Sequence, residues 1–433
     1  MRKRRRARVR KPALERTSFL GKLHNWNQAL VPEFRKLGRR DAESKKNKWL
    51  FASLRFRVLS NRVNSMSKHL IIACGGTGGH FYPTVSIAQA FIELGGKVTL
   101  LIAGKHAEEQ LKLAREAGIP AQEVGFISRP NNITGWFALP FKYLKVKSAT
   151  KKIIQQLKPD VALGMGSYAS VATCKALPSK VPLILHEGNA FMGKANRLFA
   201  GRAKAIGLSL PLADEGQLKG TPAHLVGMPL REDLLKAAQR SKPADGFFSK
   251  LGLSEGVFTV LVFGGSQGAQ RINQLICEAC SHLKGLPLQF IHLTGTDENS
   301  EIQAAYQNAG ICASVRKADY HIEECYLASN LVICRGGASS LCELALFGKP
   351  AIIIPLPSAA DNHQAVNAKL AEKLGGAIHF PQQDATPEQL ASHIKKALEQ
   401  PELFREMGNK LKAALAKNDS AREMARLIME NAN

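Results

Sequence analysis

No apolar run in these 433 residues approaches the ~20 that a membrane-spanning helix needs, so the chain is not expected to cross a bilayer. Its start, MRKRRRARVRK, is basic but is not followed by the apolar stretch of a secretory signal. Export by that route is not expected either. Zinc spacing is missing too: Cys277 and Cys280 form a CxxC, but no second CxxC or CxxH follows. Several other cysteines lie in apolar runs, where a thiol behaves as a small hydrophobe, and a reducing, cytoplasmic compartment fits. Acidic residues are the scarce charge, 35 against 60 Lys and Arg, for a formal net charge of +25.

That imbalance is concentrated at one end. Residues 1–65 carry 20 Lys and Arg against 4 acidic residues, a net +16, whereas the other 368 have 40 against 31, a net +9. Residues 1–66 therefore read as a basic, disordered extension in front of a moderately basic body. Such a segment suits a solvated tail, an anionic lipid surface or nucleic acid. Met66 stands directly before SKHLIIACGG, where a compact domain would begin, so an over-long start is a fourth reading.

Beyond residue 66 apolar strands alternate with helical segments, which implies parallel βαβ units. HLIIAC, KVTLLIAG, KPDVALGMGS and VPLILHEGN read as strands, with helices expected over 83–94 and 107–117. The plan repeats: VFTVLVFGGSQGAQRIN is again strand, glycine turn and helix, 189 positions after the first when Gly264 is set against Gly75. LQFIHLTG, NLVICRGG and PAIIIPLP supply further strands. The expectation is an α/β chain of two doubly wound Rossmann-like domains, 67–227 and 228–433, with a cleft between them. One helical segment over 402–428 is placed to pack back across the domains.

The glycine turns carry the chemistry. Neither IIACGGTGGHFYP nor GGSQGA completes a dinucleotide GxGxxG, and no GxxxxGK[ST] occurs, so a nicotinamide dehydrogenase and a P-loop NTPase lack support. Small residues before a helix let backbone N–H groups approach an anion. The stretch from Cys334 to Ala368 is richer: Gly336 and Gly337 turn the chain, and Ala338 to Phe347 reads as a helix whose first turn suits a pyrophosphate. One turn further in, Glu343 is placed to accept hydrogen bonds from ribose hydroxyls. DNHQAVNA reads as a second helix start with Asp361, Gln364 and Asn367 three apart on one face. These residues alone point to a nucleoside-diphosphate site.

GGTGGHFYP, LGMGSYAS, LHEGN, VGMPLR, GGSQGAQRIN and the block CRGGASSLCE…DNHQAVNA, in that order, resemble the MurG family of N-acetylglucosaminyltransferases, glycosyltransferase family 28 with the GT-B fold. The resemblance spans roughly residues 67–430. The chain departs from the family pattern at Ser167, at Gly188 in HEGN and at Met228 in GMPLR.

The resemblance implies transfer of GlcNAc from UDP-GlcNAc, with inversion, to the muramoyl O4 of undecaprenyl-pyrophosphoryl-MurNAc-pentapeptide, the lipid I to lipid II step of peptidoglycan synthesis. It places Arg231 and Ser266 near the diphosphate. Ala338, Ser339, Ser340, Leu341, Cys342 and Glu343 lie along the nucleotide, and Gln364 on the sugar. Thr77, Gly78, Gly79 and Asn189 face sugar and acceptor. The attacking hydroxyl needs a base; His80 is the candidate by position, with Glu187 as its rival. No DxD occurs, and neither a metal nor another cofactor is expected.

The segment ITGWFALPFKYLKVK reads equally as a helix packed on its own domain or as an interfacial patch. The resemblance favours the patch, with Trp136, Phe137, Phe141 and Lys142 meeting an anionic membrane surface at its cytoplasmic face. Other cell-wall or division proteins are implied as partners, and specific nucleic-acid binding is not. Another GT-B enzyme, such as a diacylglycerol glucosyltransferase or a UDP-GlcNAc 2-epimerase, is the competing assignment. A basic nucleic-acid-binding protein on a Rossmann scaffold is a further one.

Overall fold

A computed structural model describes residues 67–76, 78–126, 133–265 and 269–433, with the backbone alone along 133–143. The basic extension lies outside the described residues. Strands β1 (His69–Gly75), β2 (Lys97–Ala103), β3 (Ala121–Glu123), β4 (Val161–Gly164), β5 (Leu183–Glu187), β6 (Ala205–Leu208) and β7 (Ala223–Leu225) form a sheet in the order β3-β2-β1-β4-β5-β6-β7. Strands β8 (Phe258–Phe263), β9 (Leu288–Leu293), β10 (Cys312–Arg316), β11 (Leu331–Cys334), β12 (Ala351–Ile353) and β13 (Ala377–His379) form a second, in the order β10-β9-β8-β11-β12-β13.

All pairings are parallel, as in Leu70 against Val161 and Leu331 against Val260. Helices cover both faces, which is why the strands are short continuous apolar runs; β1 is buried from Leu70 to Gly75. In each sheet the first strand sits centrally and the chain winds outward both ways. The order thus reverses between β1 and β4 and between β8 and β11, the positions where open parallel sheets receive ligands.

Gly75 closes β1 at φ 128°, where a Cβ would stand 2.0 Å from the carbonyl oxygen of Ala103 on β2. Both the conformation and the contact with backbone exclude a side chain. Gly75→Ala is expected to cost roughly 2–4 kcal/mol, read as a lowered midpoint in thermal or denaturant unfolding. An unchanged midpoint would show that β2 can move aside.

Two boundaries differ from expectation. The helix expected from Pro83 begins at Gly78 and runs to Glu93, which puts His80 in its first turn. The single helix expected over 402–428 is two, Pro401–Leu415 and Ser420–Glu430. The break lets the last helix lie on the first sheet's layer, where Met424, Ala425 and Ile428 share a core with Ile72, Phe91 and Val226. Arg422 reaches Glu93 at 3.0 Å. Another core joins Ala190 and Leu210 to Met228, Leu230 and the interior of the second sheet. Among the described residues no helix is long and apolar enough to cross a membrane.

Candidate active site

Both reversal points open onto a pocket of about 1430 Å3, lined by residues that follow β1, β4 and β5 and by residues that follow β8, β9, β11 and β12. From the first sheet, Gly78, Gly79 and His80 line it. Thr84 Oγ1 donates to the His80 carbonyl at 2.7 Å, fixing the backbone of this turn. Desolvation pulls the His80 imidazole down to about 4, with a smaller push from His363, so it is neutral at pH 7. Its neighbour His186, buried and bonded to Ser209 Oγ at 3.0 Å, is pulled by burial to about 3.

Glu187 is buried at the end of β5. Its Oε1 accepts from the Asn189 N–H at 3.0 Å and Asn189 Nδ2 at 3.3 Å. Its Oε2 accepts from the Gly193 N–H and Asn196 Nδ2, both at 2.9 Å. The carboxylate thus folds the loop 187–196 around itself, and Asn189 is held on the pocket wall by it.

The second sheet supplies the helix Ala338–Phe347. Its N-cap is Gly337 with no side-chain cap, so first-turn N–H groups remain for a ligand. A Cβ on Gly336 would lie 2.3 Å from the Gln364 carbonyl, and this close approach brings the turn against the helix His363–Lys373. Ala338, Ser339, Ser340 and Glu343 line the pocket, whereas Leu341 and Cys342 turn into the core, as a 3.6-residue period requires.

Tyr326 donates to Glu343 Oε2 at 2.8 Å. Burial pushes the Glu343 carboxyl up to about 7, against the Tyr326 bond and the charge of Arg231. Arg231 lines the pocket with its guanidinium 5.4 Å from the centre of the Tyr82 ring. Gln364 Oε1 accepts from the Leu356 N–H at 3.0 Å, which leaves the Nε2 end for a ligand.

Gln364 and Asn367 share a face of the helix His363–Lys373 as expected, but Asp361 does not join them. The helix starts only at His363, and Asp361 and Asn362 are left-handed at φ 52° and 53°. Thr77 and Ser266, and the side chains of Trp136, Phe137, Phe141 and Lys142, lie outside the described residues. Sequence reading passed over Tyr326, Arg335 and His363. Arg335 is buried at the pocket and donates to the carbonyls of Ile354 at 3.1 Å and Pro355 at 3.2 Å. Its position at the end of an apolar strand was the available signal; His363 had only its adjacency to Gln364.

The family model described as glycosyltransferase family 28 N-terminal domain matches residues 70–208, and the family's C-terminal domain matches 259–424. A relative from Verminephrobacter eiseniae, named UDP-N-acetylglucosamine–N-acetylmuramyl-(pentapeptide) pyrophosphoryl-undecaprenol N-acetylglucosamine transferase, is 33% identical over 362 residues, covering 83% of this chain and 97% of its own. One of the same name from Thermodesulfovibrio yellowstonii is 34% identical, covering 78% and 92%. The crystal structure of Acinetobacter baumannii MurG is 26% identical with a TM-score of 0.67, covering 84% of this chain and 99% of its own. A UDP-GlcNAc 2-epimerase from Neisseria meningitidis reaches a TM-score of 0.60 at 12% identity, which is likeness of fold alone. With both domain models matched in order and relatives above 30% identity across nearly their whole length, the chain belongs to glycosyltransferase family 28.

Proposed function

We propose that this chain transfers GlcNAc from UDP-GlcNAc to the muramoyl O4 hydroxyl of undecaprenyl-pyrophosphoryl-MurNAc-pentapeptide, converting lipid I to lipid II. The carrying observation is one pocket that brings together His80 from the first half and the Ala338–Phe347 helix end with Glu343 from the second. The diphosphate lies at that helix N-terminus near Arg231, where N–H groups, helix dipole and guanidinium take up the charge that grows on UDP as it leaves. Glu343 accepts from the ribose, and Gln364 donates to the sugar.

The nucleophile is the muramoyl hydroxyl. As its oxygen closes on the anomeric carbon and the bond to UDP breaks, His80 takes the hydroxyl proton. His80 is preferred to Glu187 because both oxygens of Glu187 already accept two bonds each within its own loop. An imidazole near 4 is a weak base in the empty pocket. A bound diphosphate raises its proton affinity through opposite charge.

Asn189 and the Gly78–Gly79 turn lie on the acceptor side. A lipid-linked acceptor requires a peripheral position at the cytoplasmic face of the membrane, and the apolar and lysine-bearing sequence 133–147 is the segment assigned to it. The test is transfer of labelled GlcNAc from UDP-GlcNAc to the lipid-pyrophosphoryl muropeptide in detergent or vesicles. Label is expected in the lipid product. A chain that binds UDP-GlcNAc but leaves the lipid unlabelled would overturn the reading.

A further inference from the structure

The turn that carries His363 and Gln364 is held from the opposite half of the molecule. Asp361 Oδ2 accepts from Arg197 Nη2 at 2.6 Å, and its Oδ1 lies 3.4 Å from Lys194 Nζ. Both cations belong to the helix Lys194–Phe199 that follows the Glu187 loop. Arg197 is itself fixed: its guanidinium stands 5.1 Å from the centre of the Phe191 ring, and its carbonyl accepts from Lys219 Nζ at 2.8 Å. Six residues on, Asn367 is fully buried. It accepts from the Ala190 N–H at 2.9 Å and donates to Asn189 Oδ1 at 3.1 Å and to the Gly336 carbonyl at 2.9 Å.

Between these two clasps the chain adopts left-handed conformations at Asp361 and Asn362, which non-glycine residues seldom take, Asp and Asn least reluctantly. Asn367 anchors the far end to both halves and to the glycine turn before Ala338. Asp361 anchors the near end to the first half alone, by a half-buried ion pair.

We propose that Asp361 is a positioning residue: its ion pair with Arg197 and Lys194 registers the 360–364 turn against the first half, so that the sugar end of the donor pocket is complete only while the two halves are docked there. The nucleotide end, with Glu343 and the helix after Gly337, is built from the second half and does not need the clasp. The inference rests on the donor assignment above. It extends that assignment by making recognition of the sugar, and not of the nucleotide, depend on the other half.

The experiment compares binding of UDP-GlcNAc with that of UDP by titration calorimetry, together with kcat and KM, for the unmodified full chain and Asp361→Asn. Removing the charge is expected to raise the Kd and KM for UDP-GlcNAc roughly tenfold while Kd for UDP stays within about twofold. Arg197→Lys, which keeps the charge facing Asp361 and leaves the left-handed turn untouched, is expected to retain most of the binding. Arg197→Leu is expected to reproduce the loss, and the double variant Asp361→Asn/Arg197→Leu to add little, the mark of a shared interaction. Equal losses for UDP and UDP-GlcNAc, or no loss for either, would overturn the proposal while leaving the donor assignment intact. An unmodified chain that binds UDP but not UDP-GlcNAc would overturn both.

Discussion

Replacing His80 with alanine is expected to lower kcat by roughly a hundred- to ten-thousandfold, the range of a single positioned base. KM for UDP-GlcNAc should stay within about threefold, since the proposed donor contacts lie on the other half. The bond from Thr84 Oγ1 to the His80 backbone carbonyl survives the substitution, so the turn keeps its backbone anchor. A collapsed kcat in protein that is still folded at the assay temperature, checked by its melting curve, is the expected pair of readings. Full turnover in His80→Ala would move the base elsewhere.

Glu187→Gln gives the contrast. The amide would present N–H groups where the loop already offers donors from Asn189, Gly193 and Asn196. Because a buried donor without an acceptor costs about 1–3 kcal/mol, this variant should lose stability and activity together. Stability and rate thus separate the two candidates, which rate alone does not.

The two parallel sheets were legible because the central strands are short continuous apolar runs closed by or shortly followed by glycine, as HLIIACG and LVIC before Arg335 and Gly336 are, and because the run–turn–helix plan recurs. The Ala338–Phe347 helix matched its expected bounds since glycines precede and follow it. What escaped was set by contacts between distant parts. Nothing in ADNHQ announces that Asp361 is left-handed; the conformation is supported by cations 164 and 167 positions earlier in the chain. Tyr326 sits in a short helix with no polar periodicity, and only the fold brings its hydroxyl to Glu343. The Glu187 carboxylate looked like a base because a sequence shows an acid near a glycine turn and does not show which donors surround it. The helix break at 416–419 has no glycine or proline to mark it, and follows from the last helix finding its core on the first sheet.

Glu343→Gln is expected to move binding and stability in opposite directions. Burial lifts the Glu343 carboxyl from its ordinary range to about 7, so the empty fold disfavours the ionised form. The sign follows: below pH 4.5 the group is protonated folded or unfolded and costs nothing. Between 4.5 and 7 the unfolded chain ionises first, and stability falls as pH rises until the folded carboxyl ionises too. Above that the cost is constant, about 3 kcal/mol by linkage and ~2 kcal/mol once the solvent in an open pocket is allowed for. Glutamine keeps an acceptor for Tyr326 and removes the charge, so the empty variant should unfold at a higher temperature than the native chain at pH 8 and at nearly the same temperature at pH 4.5.

The carboxylate is also the stronger acceptor for ribose hydroxyls, and a bond to a charged group contributes about 1.5–3 kcal/mol. KM for UDP-GlcNAc should therefore rise roughly ten- to a hundredfold in the variant at pH 8. Since kcat/KM reports groups of the free enzyme, its acid limb in the native chain should centre near 7 and vanish in Glu343→Gln, leaving only the lower limb that belongs to His80. A variant that destabilises the empty protein at pH 8, or that keeps the limb near 7, would show that Glu343 is neither the strained acid nor the ribose acceptor.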